Sequence, residues 1–188
     1  MKKIILDLTV SLDGFIEGNN KEIDWIVFDD ELAETLYRFA DEIDTVLYGR
    51  VSYEAYGNYV PADDASQFEK DFYAQIHTKR KYVFSRQTLP LTGNYTLIQD
   101  NIVNEVRKIK ESSEKDIWLF GGAGLISTFL NHDLIDEMRI TVNPVVIGGG
   151  IPLFKEINNR KNLRLINTRT YRCGVVGLYY EPIRDVIQ

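Results

Sequence analysis

The stretch from Asp116 to Phe154 constrains the fold of this chain more than any other. Ile117 to Phe120 is a short apolar run, and two glycines follow at once. Leu125, Ile126, Phe129 and Leu130 then recur at helical spacing, and a second apolar run extends from Met138 to Ile147. Strand, glycine turn, helix, strand: that order predicts one βαβ unit. Its helix starts directly after glycines, so it presents unpaired backbone N–H groups and the positive end of its dipole. Such an end suits a phosphate.

The rest of the chain repeats the alternation. Lys3 to Ser11 is rich in Ile, Leu and Val and reads as a buried first strand, broken by Ser11-Leu12-Asp13-Gly14. From Phe15 to Ile26 the glycine and polar residues predict a loop, longer than a mere connection requires. Asp29-Asp30-Glu31 opens a helix whose buried stripe is Leu32, Leu36, Phe39, Ala40 and Ile43. Strands are expected at Thr45–Tyr48, Lys81–Phe84 and Tyr95–Ile98. Helical segments are expected at Val51–Tyr56, around Phe68–Ile76 and around Ile102–Ile109, with Pro90 and Gly93 in a connection. Leu163–Tyr171 and Val175–Glu181, around Arg172-Cys173-Gly174, predict a closing hairpin. This is an α/β pattern: an open, mostly parallel sheet, helices on both faces and a C-terminal antiparallel hairpin. No internal repeat or linker interrupts it, so residues 1–188 read as a single domain.

Composition narrows the function classes. At 188 residues the chain can bury a sizeable core, and 44% apolar residues exclude a disordered polymer. A net charge of −6 argues against a nucleic-acid partner. The single Cys173 excludes an intrachain disulfide and a cysteine zinc site, and fits a reducing cytoplasm. No run approaches the roughly 20 apolar residues that span a bilayer. The opening MKKII resembles the start of a signal peptide, but Asp7 interrupts the apolar run.

In such a sheet, ligands bind at the carboxyl ends of the strands. Three segments stand there: Gly49-Arg50-Val51-Ser52, Phe84-Ser85-Arg86 and Gly121-Gly122-Ala123-Gly124. Together they supply backbone donors, hydroxyls and two guanidinium groups. That set suits a ligand with several phosphates, one of them on a ribose, which points to NADPH. Taken singly the segments are weaker signals. Gly121-Gly122 serves any tight turn, and it is neither a P-loop nor the Rossmann fingerprint. His77 and His132 lie far apart in polar surroundings, so each is expected in a solvated turn and no metal site is predicted. Lys79-Arg80-Lys81 is expected to be a solvated face.

Four segments carry a family resemblance: Ser11-Leu12-Asp13-Gly14, Leu47-Tyr48-Gly49-Arg50, Gly121-Gly122-Ala123-Gly124 and Asn143-Pro144-Val145-Val146-Ile147-Gly148-Gly149. The chain resembles the dihydrofolate-reductase-like superfamily, and within it the reductase domain of bacterial riboflavin biosynthesis. Leu134-Ile135-Asp136-Glu137 and Asp24-Trp25-Ile26 also fit that branch. The resemblance implies NADPH as cofactor, a small-molecule substrate, a cytoplasmic enzyme and a homodimer. It implies a cis peptide bond between Gly121 and Gly122, near the diphosphate with Ala123 and Gly124. It places Gly49, Arg50 and Ser52 at the phosphates, Arg50, Ser85 and Arg86 at the ribose phosphate, Thr9 and Ile16 beside the nicotinamide, and Trp25 and Thr141 toward the substrate. Asp30, five residues after Trp25, takes the place of the proton-donating carboxylate of dihydrofolate reductase; the same position also suits the cap of an exposed helix start. The expected reaction is that of a 5-amino-6-(5-phosphoribosylamino)uracil reductase or a related pterin or pyrimidine reductase. The His/Cys cluster of the zinc deaminase usually fused to the riboflavin enzyme is absent from the sequence. Two alternatives stay open: a non-catalytic NADPH-binding sensor or scaffold, and dihydrofolate reductase proper.

Overall fold

The computed structural model describes residues 2–87 and 92–184; Pro90, expected in a connection, lies outside them. In chain order the elements are β1 (Ile4–Ser11), β2 (Phe15–Glu17), α1 (Asp30–Glu42), β3 (Ile43–Gly49), and α2 (Arg50–Ser52), which runs into a π-helical turn at Tyr53–Gly57. Then follow α3 (Gln67–His77), β4 (Arg80–Phe84), β5 (Thr96–Ile98), α4 (Ile102–Ser112), β6 (Asp116–Gly121), α5 (Ala123–Asn131), β7 (Glu137–Asn143), β8 (Ile151–Pro152), β9 (Leu163–Thr170) and β10 (Val176–Pro182).

Eight strands form one sheet in the order β5-β4-β3-β6-β1-β7-β10-β9. The pairs from β5 to β7 are parallel, and β10 is antiparallel to both β7 and β9. The chain thus has the α/β, dihydrofolate-reductase-like architecture, with helices on both faces and a closing hairpin. β1 lies inside the sheet, which is why Ile4, Ile5 and Leu6 are all fully buried.

Alternation along the strands divides the core in two. On one face Leu6, Val10, Leu47, Leu119 and Met138 pack against Val106 and Ile109 of α4 and Leu125, Ile126, Phe129 and Leu130 of α5. On the other face Ile5, Val46, Tyr48 and Trp118 pack against Phe39 and Ala40 of α1 and Phe72 and Ile76 of α3. This second core is aromatic, with Phe39 and Trp118 edge to face at 5.5 Å between centroids.

The structure departs from the sequence expectations at four places. The strand expected to run from Met138 to Ile147 stops at Asn143, because Pro144 has no N–H to continue a ladder. The loop after Gly14 contains β2, which pairs antiparallel with β8. Lys81 is not solvated but 8% exposed, its Nζ donating to the Gly57 carbonyl at 2.5 Å and lying 3.0 Å from His77 Nδ1. His77 is accordingly half-buried, with Nε2 2.8 Å from the Tyr59 carbonyl oxygen. Among the described residues, no helix is long and apolar enough to cross a membrane.

Candidate functional site

The parallel strands β3, β4 and β6 are neighbours, and their carboxyl ends open on one cleft of about 640 Å³. Its walls include Ile16, Gly49, Arg50, Ser52, Ser85, Arg86, Gly122, Ala123 and Gly124. Three segments spread along the chain from Gly49 to Gly124 are therefore brought together by strand order alone. A volume of this size is that of a small-molecule or cofactor site.

Glycine fits closely at the junction of these strand ends. A Cβ on Gly49 would stand 3.3 Å from the Gly121 carbonyl oxygen, and one on Gly122 would stand 3.0 Å from Ser52 Oγ. Gly121 has φ +111°, and its peptide bond to Gly122 is cis. The Gly122 carbonyl accepts from Leu125 N and Ile126 N, and no side chain caps α5. The N–H groups of the first turn are left facing the cleft end of the helix. Gly49 likewise starts α2 without a side-chain cap. Two bare helix starts, hydroxyls and guanidinium groups form a donor set that fits a dinucleotide with an extra phosphate.

The cationic groups differ in how free they are. Arg50 is held by Glu54 at 2.8 Å in a partly exposed pair one helical turn apart. Arg86 is exposed at the mouth. The Ser85 hydroxyl already closes a local turn with Gln87, donating to its carbonyl at 2.9 Å and accepting from its N–H at 3.1 Å. Lys21, His132 and Lys155 also line the cleft. Sequence reasoning missed all three: they are isolated charges in loops or at a helix end, and nothing in their neighbourhood distinguishes them from solvated residues.

Thr9, Thr141, Trp25 and Asp30 do not line this cleft. Thr9 and Thr141 are paired in register on β1 and β7 and are half-buried on the α1 face of the sheet. Trp25 sits in the long loop, its Nε1 donating to the Glu22 carbonyl at 3.2 Å. Asp30 begins α1 and is exposed; the capping is done by Asp29, which accepts from Leu32 N at 2.8 Å.

Loop positions around the site follow from a few anchors. Asp13 accepts from Ile147 N at 3.2 Å and Gly148 N at 2.8 Å. Hydrogen bonding from Ser11 above all, joined by these N–H groups, outweighs the opposing effect of burial and holds its carboxyl below the usual range. Asn143, fully buried, accepts from Val27 N at 2.7 Å through Oδ1 and so pins the loop that precedes α1, while its Nδ2 has no partner. The Ser-Leu-Asp-Gly and Asn-Pro-Val-Val-Ile-Gly-Gly segments thus hold each other, and Leu12 N adds a bond to the Val145 carbonyl at 2.8 Å.

One further group stands out on the α1 face. Asp7 lies mid-strand in β1, in register with Arg139, and is half-buried. Burial pushes its carboxyl up to about 7; Arg139 opposes this, while Glu42 and Glu137 add to it. The sequence carried a signal for it, a lone carboxylate inside an apolar strand.

Comparison with known proteins gives this geometry its relatives. Over 179 residues the chain is 48% identical to the protein YyaP of Bacillus subtilis (strain 168), covering 95% of this chain and 94% of that one. Among solved structures it superposes on a diaminohydroxyphosphoribosylaminopyrimidine deaminase/5-amino-6-(5-phosphoribosylamino)uracil reductase of Thermotoga maritima with a TM-score of 0.71 at 16% identity. That match covers 97% of this chain and 57% of the bifunctional one. It also superposes on a dihydrofolate reductase of Enterococcus faecalis complexed with NADP(H), with a TM-score of 0.65 at 13% identity and 97% of both chains covered. These superpositions show a dihydrofolate-reductase-like fold. With residues 2–177 matching the model of the RibD C-terminal domain, the chain belongs to the RibD C-terminal domain family.

Proposed function

We propose that this chain is an NADPH-dependent reductase of a small nitrogen heterocycle, akin to 5-amino-6-(5-phosphoribosylamino)uracil reductase or to a related pterin or pyrimidine reductase. The observation that carries the reading is the convergence of three strand ends, with two bare helix starts, on one cleft. NADPH, when bound, supplies a hydride. The first-turn N–H groups of α5, from Gly122 to Gly124, with Gly121 and Gly49 behind them, hold the diphosphate. Ser52 adds a hydroxyl, and Arg50, Ser85 and Arg86 hold the ribose phosphate. Ile16 flanks the nicotinamide from the cleft wall; the roles the resemblance gives Thr9 beside the nicotinamide and Thr141 and Trp25 toward the substrate require the ligand to reach past that wall to the α1 side of the sheet. The superposing structures, a 5-amino-6-(5-phosphoribosylamino)uracil reductase and a dihydrofolate reductase complexed with NADP(H), support this direction.

The chain, as one domain over residues 1–188, acts in the cytoplasm as a homodimer in this reading. The edge strand β9 exposes Leu165 (52%) and Ile166 (42%), and pairing would cover such an edge.

A second reading, a non-catalytic NADPH-binding sensor or scaffold, draws on one observation. An acid that holds a proton at neutral pH requires burial, and Asp30, the donor implied by resemblance, is exposed. The same exposure counts against dihydrofolate reductase proper. Incubation with NADPH and a panel of pterins and ribosylaminopyrimidines, followed by loss of reduced-nicotinamide absorbance, separates the readings. Turnover of any member supports the enzyme, whereas NADPH binding with no oxidation across the panel contradicts it.

A further inference from the structure

We propose that the cavity at the amino ends of β4 and β5, lined by His77, Lys79, Arg80 and Lys81, is a second ligand site that takes the phosphate of a compact organic phosphate monoester. It lies at the other end of β4 from the cleft described above, a strand of about 13 Å at this length. Among the described residues the two share no lining residue. The inference does not depend on the reductase reading.

The cavity follows from unequal strand lengths. β5 begins at Thr96, opposite Tyr82, so Arg80 and Lys81 of β4 have no described strand beside them on that edge. Asn58, Val60, Asn94 and Tyr95 wall the notch and leave about 540 Å³. That is room for a small molecule rather than a lone ion. Helix α3 ends at His77 beside the start of β4, so the run His77 to Lys81 brings three cations and an imidazole to one wall. Among the described residues no carboxylate lines the cavity.

Lys81 is the group that calls for a ligand. Two positions before Val83, it points to the aromatic core face and is buried. Its Nζ donates to the Gly57 carbonyl at 2.5 Å and lies 3.0 Å from His77 Nδ1. An ammonium can only donate, so Nδ1 accepts. The ring proton then sits on Nε2, which donates to the Tyr59 carbonyl at 2.8 Å. Those two bonds leave one ammonium N–H unspent. Neither partner carries a negative charge. Among the described residues no carboxylate pairs with Lys81, and burial pulls its pKa below the ordinary value with no acid to oppose it. Buried charges are ordinarily paired; the open space beside this one is the cavity.

Lys79 adds a second charge. It is half-buried, and burial, then Lys115, hold its pKa below the ordinary value against Asp41 and Asp44. Those acids are engaged elsewhere: Asp44 pairs with Arg80 at 2.9 Å, and Asp41 accepts from Gln75 at 2.5 Å. Two ammonium groups without carboxylate partners match a phosphate monoester, which is close to doubly charged at neutral pH. Val60 and Tyr95 give the organic part of the ester an apolar wall. An extended polyanion fits poorly, because Asp41 and Asp44 confine the positive field to the cavity and the chain as a whole carries −6.

The test is calorimetric titration of the full chain with phenyl phosphate, inorganic phosphate and phenol, for wild type, Lys79→Ala, Lys81→Met and Arg86→Ala. Circular dichroism checks that each variant is folded. Phenyl phosphate is expected to bind more tightly than inorganic phosphate, and phenol not to bind. Lys79→Ala and Lys81→Met should each weaken phenyl phosphate at least roughly tenfold. Arg86→Ala, a change at the other end of β4, should leave it unaffected. Lys81 also holds the Gly57 carbonyl, so where Lys81→Met does not fold, Lys79→Ala decides alone. No binding of phenyl phosphate by wild type, binding that Lys79→Ala leaves unchanged, or binding that Arg86→Ala abolishes overturns the site. Inorganic phosphate binding as tightly as phenyl phosphate overturns its assignment to an ester.

Discussion

A Cβ on Gly49 would stand 3.3 Å from the carbonyl oxygen of Gly121, so the ends of β3 and β6 approach more closely than any other residue type would allow without displacement. The approach brings the starts of α2 and α5 to one cleft. Gly49→Val is expected to force the two strand ends apart, costing about 1–3 kcal/mol of stability and weakening NADPH at least roughly tenfold. Chemical denaturation and fluorescence titration check the two effects.

Asn143 ties the loop before α1 to the end of β7 through Val27 N. Asn143→Ala removes a fully buried acceptor and leaves that N–H unpaired, which should cost about 1–3 kcal/mol. Limited proteolysis should then cut sooner between residues 18 and 29. Unchanged cleavage would show that the loop is held by other contacts.

Asp136 gives the clearest pH dependence. Burial alone would raise its carboxyl, but hydrogen bonds from Lys110 at 2.5 Å, Ile4 N at 2.8 Å and Arg184 at 2.9 Å outweigh it and hold the group below its ordinary value. A depressed acid stabilises the fold above its unfolded pKa, and that contribution is lost as pH falls through the folded one. Asp136→Asn should therefore lower stability by about 2 kcal/mol near pH 7, with the difference from wild type shrinking toward pH 3. Denaturation curves across that range decide it.

Asp7 has the opposite sign. Its folded carboxyl is raised to about 7, so its protonated form favours the fold and stability falls as pH rises from the ordinary carboxylate range through 7. Asp7→Asn, which cannot ionise, should gain about 1–3 kcal/mol over wild type at pH 8 and nothing at pH 4. A constant difference at both pH values would contradict the raised ionisation.

The β9 edge tests assembly. Leu165→Lys should leave thermal stability nearly unchanged, because the side chain is exposed, yet shift the mass seen by light scattering from dimer to monomer. An unchanged dimer would place the contact on another surface.

What was legible in the sequence was what local pattern encodes. The helical spacing of Leu125, Ile126, Phe129 and Leu130 and the apolar run of β6 led directly to the βαβ unit. The three segments of the cleft were found because parallel α/β sheets put strand ends together, a rule that needs no side-chain detail. Pairing of β2 with β8 escaped because strands of three and two residues carry no periodicity, and their register depends on Asp13 holding Gly148. Lys81 was misread because its partners, the Gly57 carbonyl and His77, come from a separate turn and helix. Asp7 was visible as a charge in an apolar strand, but that it lacks a partner follows only once Arg139 is seen bound to Glu137 and Glu42.

Calorimetric titration of the full chain with NADPH and with NADH, for wild type and Arg86→Ala, tests the central claim most directly. The cleft between Gly49, Arg86 and Gly122 should bind NADPH at least roughly tenfold more tightly than NADH, and Arg86→Ala should remove most of that preference. No binding of either nucleotide, or a preference unchanged by the substitution, would contradict the account.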